Sequence, residues 1–287
     1  MNPVQFYVAL FISGLYLFFF FVFYNIAHFE YTKREKIGES SALMFSFGPI
    51  ISILAPLLAG FFARVNISLN WLFSVCLFLI CILLVKSQKD FYLKFETKAS
   101  LQYIKPTRSF IFIGGIWEAL VLGIIPVYTL FFIKTPLNYG IFLSYLGVIA
   151  VVSNLLFGRF TDRIQKRSVF LYPITLAIAL VTFLFVLAAK NIYLWIILAG
   201  TISFLLPFFW NVSTAMIVDA HENLRMAIPA RELTLGSGRA IGLLIVFLSF
   251  FVEKSPKYIF IFLGFVMLLY PLNLYWNTKI KKKYQYL

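Results

Sequence analysis

The sequence is short of the residues that cover a water-facing surface. Only 13% of its 287 residues are charged, against about 25% in an average soluble domain. Two cysteines are too few for a disulfide framework, and both fall in one apolar run, where we expect buried thiols. His28 and His221 have no further metal-binding side chain at ligand spacing. These shortages exclude a soluble globular domain and predict neither a metal site nor another cofactor.

Apolar residues are abundant instead, at 62% of the chain, with 35 phenylalanines. They form nine runs of roughly the 20 residues that cross a bilayer core about 30 Å thick. None alternates with a period of two, which disfavours a membrane barrel. The sequence therefore predicts an all-α polytopic protein with about nine transmembrane helices in contact with membrane lipid. The runs cover residues 4–27, 41–63, 69–85, 109–133, 137–158, 168–189, 191–218, 232–252 and 258–277.

The basic residues indicate how these helices are oriented. Of the 25 lysines and arginines, 19 fall in alternate loops on the side that follows the first run, whereas 5 fall on the other side. The positive-inside rule makes the first side cytoplasmic. Nine spans then put the C-terminus in the cytoplasm and the N-terminus outside the cytoplasmic membrane. Because the charge is spread over five inner segments, the net charge of +14 indicates topology and predicts no nucleic-acid partner.

A polar, basic segment at residues 86–108 divides the apolar runs into groups of three and six. We expect this segment to be a cytoplasmic central loop. Residues 1–85 would then hold three transmembrane helices, and residues 109–287 a six-helix bundle with a basic cytoplasmic tail. The sequence contains no G-x-x-x-x-G-K-[ST] motif, which excludes an ATP-driven pump of that type.

One predicted inner loop, from Gly158 to Arg167, has an unusual combination of residues. Gly158 permits close approach of a neighbouring helix, and Asp162 can cap the next helix or pair with a base. Arg163 and Arg167 would lie at the level of the lipid headgroups. An ordinary basic inner loop is the alternative interpretation.

This loop resembles the G-x-x-x-D-R-x-G-R-R signature of major facilitator superfamily (MFS) transporters, with Gln165 in place of a glycine. A second segment, Gly48-Pro49 together with Pro56 and Gly60, is similar to a degraded form of the G-P-x-x-G-G motif of facilitator antiporters. Its small residues allow close helix contact and its prolines bend the helix. We therefore expect this segment to pack helices together.

The resemblance extends over nearly the whole chain and implies an MFS-like bundle that corresponds to helices four to twelve of that fold. It implies that the loop with Asp162 and Arg163 controls a conformational switch. The first three helices of the family have no counterpart here. A truncated reading frame, a reduced form and a partner chain that supplies those helices are the alternatives.

Two ionisable residues are predicted to lie at membrane depth. Glu118 is ten residues, or about 15 Å, into the fourth run, and Arg239 lies within the eighth. Charged groups at such depth are costly and are functional candidates. We expect the two to pair across the bundle, or Glu118 to take up a coupling proton. The alternatives are a structural, protonated carboxyl at Glu118, and a helix break at residues 236–238 that leaves Arg239 near the interface.

Trp210 and Asn211 add polar groups to the seventh apolar run. An amide that faces lipid would be left without hydrogen-bond partners, so Asn211 must face protein. It could bind a substrate or hydrogen-bond a neighbouring helix, and Trp210 could stack on a ligand or simply pack. The polar residues at 219–232 are expected in an inner loop, either as a gate or as a solvated segment.

Together these features predict a secondary active transporter, not an enzyme, that moves a small solute by alternating access. The driving force would be a proton or another ion gradient, and Glu118, Trp210, Asn211 and Arg239 are the candidate substrate or coupling residues. Two alternatives remain. One is a membrane-embedded enzyme that acts on lipid-linked substrates at residues 219–232, and the other is a non-transporting interaction protein.

Overall fold

The computed structural model describes residues 19–26, 28, 37–87, 95–162, 167–252 and 257–276. This part of the chain is helical throughout, with short turns and no strand. Residues 19–26 form a helical segment that precedes the labelled helices. The labelled helices are α1 (Ile37–Val65), α2 (Ile67–Lys86), α3 (Thr97–Tyr103), α4 (Arg108–Trp117), α5 (Ile125–Phe132), α6 (Pro136–Asp162), α7 (Arg167–Ala188), α8 (Ile192–Ala220), α9 (Leu224–Val252) and α10 (Lys257–Tyr275).

Seven stretches in this part of the chain are long and apolar enough to cross a membrane. The chain is therefore an all-α, multi-pass membrane protein. The first of the nine predicted spans lies mostly outside the described residues, and α1 contains a shorter apolar stretch, Ile50–Val65. The count of nine stays a prediction. The seven stretches are Ile67–Lys86, Arg108–Phe132, Pro136–Leu156, Val169–Ala188, Ile192–Ala220, Leu224–Ser249 and Lys257–Tyr275.

Helices α1 and α6 run antiparallel in backbone contact. A Cβ atom added to Gly140 would overlap the carbonyl oxygen of Pro56, and one on Gly60 would lie 2.9 Å from the backbone at the start of α6. Ser144 Oγ donates a hydrogen bond of 2.6 Å to the carbonyl oxygen of Ile53. Small residues at helix contacts let two backbones approach closely in the membrane. This contact joins the N-terminal part of the chain to the C-terminal bundle.

Helix α2 is held beside α1 by a short turn and has no buried residue. Asn66 caps its first turn through Ser68, and Asn70 Nδ2 donates to the carbonyl oxygen of Ala59 at 3.1 Å. Cys76 and Cys81 lie on this helix and are exposed. The expectation of buried thiols is therefore wrong, because α2 is apolar on every side and can face lipid all round.

The core of the C-terminal bundle is aromatic, and its polar atoms are paired. Trp117 and Trp195 are fully buried. The indole nitrogen of Trp117 donates to Thr182 Oγ1 at 3.0 Å, and that of Trp195 donates to Thr129 Oγ1 at 2.8 Å. Each tryptophan thus links two helices by a hydrogen bond inside the apolar core, where an unpaired N–H group would be costly.

The segment expected to be a polar central loop is partly folded into the bundle. It contains α3, and Ile104 and Thr107 behind it are fully buried. His221, at the end of α8, is buried too, and its Nε2 lies 3.1 Å from Thr107 Oγ1. The ring of Tyr103 lies 5.0 Å from the His221 ring, and its hydroxyl accepts from the Asn223 N–H group at 3.1 Å. These contacts fasten α3 to the turn between α8 and α9.

We predict that replacing Gly140 by alanine destabilises the protein by about 1–3 kcal/mol, the usual cost of overpacking. The matched control is Gly236→Ala in α9, where nothing lies within 4 Å of an added Cβ. At that position the higher helix propensity of alanine should stabilise the protein by up to about 1 kcal/mol. Thermal unfolding of both variants in detergent measures the difference. Equal unfolding temperatures would contradict the close α1–α6 contact.

We predict that the contact of α3 with His221 weakens as the pH falls. Burial lowers the pKa of His221 from its usual 6.5, so the unfolded chain binds a proton at a higher pH than the folded one. The stabilisation is therefore present above pH 6.5 and is lost as the pH falls through the lower, folded pKa. The protection of residues 97–107 against hydrogen exchange, taken relative to the intrinsic exchange rate at each pH, should decrease below pH 6.5, whereas a His221→Gln variant should lose this dependence. An equal dependence in both proteins would contradict the interpretation.

Candidate functional site

An ion pair lies near the middle of the membrane-spanning bundle. Arg239 Nε donates to Glu118 Oε2 at 2.5 Å, and the Glu118 side chain is only 3% exposed. The indole nitrogen of Trp210 donates to the other carboxylate oxygen, Glu118 Oε1, at 2.7 Å. Three helical elements thus meet at one carboxylate, and each of its oxygens accepts a hydrogen bond. The pairing of Glu118 with Arg239 expected from the sequence is present.

The helix around Glu118 is irregular. Helix α4 ends at Trp117, and a π-helical turn, Leu120–Ile124, follows Glu118. The Ile125 N–H group bonds to the carbonyl oxygen of Leu120, five residues back. Pro126, at the start of α5, lacks an N–H group and its ring disfavours regular α-helix geometry before it. Single π turns inside helices are frequent at functional sites, and this one adjoins the buried carboxylate.

Glycines bring α4 and α9 close enough for the ion pair to form. A Cβ on Gly115 would lie 2.5 Å from the carbonyl oxygen of Leu235, and one on Gly238 would lie 2.6 Å from that of Phe112. Helix α9 is continuous from Leu224 to Val252. The alternative of a helix break at residues 236–238 is therefore wrong. Gly238 serves close contact between helices and keeps Arg239 at depth.

A small cavity of about 30 Å³ adjoins Glu118. That is room for one or two water molecules, and too little for an organic solute. Its polar lining includes Ser213, Arg231 and Tyr270, besides Glu118 and Trp210. The whole lining is Phe110, Ile111, Gly114, Glu118, Phe209, Trp210, Ser213, Ile217, Arg231, Leu235 and Tyr270.

A second polar cluster lies on α9 about two turns before Arg239. Arg231 pairs with the neighbouring Glu232 and donates through Nη2 to Thr214 Oγ1 at 3.1 Å. Asn25 Nδ2, from the N-terminal segment, donates to Glu232 Oε1 at 3.4 Å. Within the described part of the chain, Arg231 Nε is buried without a hydrogen-bond partner. The cluster therefore links the N-terminal segment to α8 and α9.

Arg231 and Glu232 were expected in an inner loop, and this placement is wrong. Both lie inside α9, which begins at Leu224 and contains Pro229 as an interior residue. The proline looks like a helix start in the sequence, since proline is favoured in the first turn. The helical position of Arg231 and Glu232 is indicated in the sequence only by the apolar residues before them, Ala227, Ile228 and Ala230, all of which are buried.

Asn211 forms a different contact from its neighbour Trp210. Its Nδ2 donates to Asn154 Oδ1 at 3.1 Å, and both side chains are buried. Its Oδ1 has no partner among the described residues. The pair joins α8 to α6, as a hydrogen bond between helices would. Of the four candidate site residues, the structure brings Glu118, Trp210 and Arg239 into one hydrogen-bonded group, and Asn211 belongs to the α6–α8 contact.

The predicted switch loop is described only in part. Gly158 lies in α6, which ends at Asp162, and Arg167 is the first residue of α7. Arg163 lies outside the described residues. The loop's role in a conformational switch stays a prediction that follows from the family resemblance.

The predicted packing segment in α1 has two distinct halves. Gly48 and Pro49 lie within the helix, and nothing lies within 4 Å of a Cβ added at Gly48. Pro56 and Gly60 lie in the backbone contact with α6. On α6 this contact is formed by small residues at helical spacing, Gly140, Ser144 and Gly147. They were not identified from the sequence.

Comparison with known proteins adds no information about the site. No protein-family model matches the chain, and no curated protein is significantly similar to it. Among the residues that the structure describes, no three His, Cys, Asp or Glu side chains are grouped so that they could hold a metal ion. The chemistry available here is that of a buried carboxylate, two guanidinium groups and a cavity of the size of one or two waters.

We predict that Glu118 and Arg239 are energetically coupled. Glu118→Gln or Arg239→Gln alone leaves a charge at depth without its partner, which costs about 3 kcal/mol in buried pairs. The loss in the free energy of unfolding of the double variant should be smaller than the sum of the losses of the two single variants, by at least about 1 kcal/mol. Unfolding of the three variants in mixed micelles measures this coupling. Additive losses would contradict it.

Proposed function

We propose that this protein is a secondary active transporter that moves a small solute by alternating access and is driven by protons or another ion. The ion pair of the buried Glu118 with the half-buried Arg239 is the observation that carries the proposal. Both residues lie near the middle of their spans, Arg108–Phe132 and Leu224–Ser249. Ionisable side chains at such depth are rare and mark ion and substrate pathways.

The cost of the pair argues for a role beyond stability. A buried ion pair is often no more stabilising than well-packed apolar residues of similar volume. Glu118 also adjoins a π turn and borders a cavity, and neither feature is needed to hold helices together. A carboxylate that a proton can neutralise, with Arg239 as its counter-charge, is suited to coupling proton movement to a change of conformation.

The arrangement of the helices supports an MFS-like alternating-access fold. α1 and α2 form one group, and α4 to α10 form another. The groups meet at the α1–α6 contact, where Gly60 and Gly140 allow backbone contact. At another point Val22 and Ile26 pack with Val218 and Ile228. In transporters of this kind the two groups rock about a site near the bilayer midplane.

The state seen here would be closed around the site. The cavity beside Glu118 has a volume of about 30 Å³, so a solute would reach it only after the helix groups separate. The contact of Asn25 with Glu232 would then form part of a closed gate. From the charge distribution we propose that this end of the bundle faces the cytoplasm.

We predict that Glu118→Gln reduces proton-driven uptake by at least about tenfold, because the variant removes the only membrane-depth carboxylate paired with Arg239 among the described residues. The measurement is uptake of radiolabelled amino acids, sugars, nucleosides and carboxylic acids into proteoliposomes with an imposed pH gradient. Glu96→Gln, an exposed carboxylate in front of α3, is the matched control and should leave uptake unchanged.

Uptake that stays fully driven by the pH gradient in the Glu118→Gln variant would contradict the proton role. Comparing the single variant with Glu118→Gln/Arg239→Gln then separates the two charges. If uptake falls equally in the single and the double variant, the loss of the Glu118 carboxylate is the cause.

A further inference from the structure

We infer that a narrow, water-filled path leads to Glu118 from the end of the bundle that carries residues 222–225, and that Glu118 exchanges its proton with that side. The inference deepens the proposed function, since it names the ion and the side from which it arrives. It is carried by three neighbouring cavities, by the polar groups on their walls and by the charges that face Glu118.

The three cavities share walls in sequence. An open surface pocket is lined by Glu222, Asn223, Leu224 and Arg225. Leu224 also lines a second cavity of about 10 Å³, and Ile217 and Arg231 line both this second cavity and the one beside Glu118. The remaining residues around the second cavity are Asn25, Thr214, Val218 and Ile228.

The sizes of these cavities limit what can pass. A volume of about 10 Å³ is at the lower limit for one water, and about 30 Å³ holds one or two. Organic solutes are therefore excluded from this route in the closed state. Protons can still move along a few hydrogen-bonded waters, so the path would serve the coupling ion and not the solute.

Polar groups are available to hold those waters. Arg231 Nε is buried and has no partner within the described part of the chain, which is the kind of donor that a buried water satisfies. Thr214 and Arg231 border the second cavity, and Tyr270, Arg231 and Glu118 border the inner one. A water in the inner cavity thus has two or more polar neighbours, whereas the wall of the second cavity is mostly apolar.

The charges along the path do not repel a proton. A lone arginine in a narrow pore raises an electrostatic barrier to cations, but Arg231 is paired with Glu232. The groups that face Glu118 are Arg239 from α9, Trp210 from α8 and, across the cavity, Arg231 and Tyr270 from α9 and α10. Among the described residues, the Glu118 carboxylate is the one acidic group on the wall of the inner cavity.

Tryptophan side chains provide a direct test with controls already present in the chain. Trp210 donates its indole N–H to Glu118 at the cavity, whereas the indoles of Trp117 and Trp195 are hydrogen-bonded in the dry core. After transfer of the protein in nanodiscs into D₂O, NMR of the indole N–H signals gives the exchange rate of each. We expect Trp210 to exchange at least about tenfold faster than Trp117 and Trp195.

Filling the path should slow that exchange. Ile217→Phe adds volume where the two inner cavities meet, and it should reduce the Trp210 rate by at least about tenfold. Ile228→Phe plugs the second cavity from α9 and provides an independent variant. Ile202→Phe, at a buried position of α8 outside both cavity linings, is the matched control and should leave the rate unchanged.

The outcomes separate this inference from the proposed function. Exchange at Trp210 as slow as at Trp117 would overturn the path, and so would fast exchange that neither plug affects. Fast exchange that both plugs slow supports it. The exchange measurement needs no transport, so unchanged uptake in Glu118→Gln together with plug-sensitive exchange would contradict proton coupling while leaving the path in place.

Discussion

The ion pair between Glu118 and Arg239 is the constraint around which this membrane bundle is organised. In a medium of low dielectric constant neither charge can be left alone, so α4 and α9 must stay in register over the whole depth of the contact. The Trp210 indole adds the second hydrogen bond to the carboxylate and brings α8 to the same point. The register of these helices and the proton chemistry that we propose therefore depend on the same few atoms.

Glycines make this register possible. With Gly115 and Gly238 at the crossing of α4 and α9, the backbones touch and the two charged side chains reach each other. The same device at Gly60 and Gly140 joins α1 to α6. In one place close contact fixes a site. In the other it joins the N-terminal part of the chain to the C-terminal bundle, with a hydrogen bond from Ser144 to the Ile53 carbonyl oxygen.

The polar residues of α9 connect the site to one end of the bundle. Arg231 borders both inner cavities, and its partner Glu232 contacts the N-terminal segment through Asn25. A change of charge at Glu118 and a separation of the helix groups would thus act on neighbouring contacts. In the transporter that we propose, this proximity would couple proton movement to opening.

The sequence by itself determined that the chain lies in a lipid bilayer and that two charged residues lie deep within it. A bilayer demands long apolar helices, so the runs identified the spans, and Glu118 and Arg239 stood out because charge is costly there. Only the tertiary structure decided which side chains meet. Asn211 is bonded to Asn154 instead of joining its neighbour Trp210 at the carboxylate, and Arg231 lies in a helix that continues through Pro229. Apolar periodicity is weak when nearly every residue is apolar, so helix faces and helix ends follow from packing between helices.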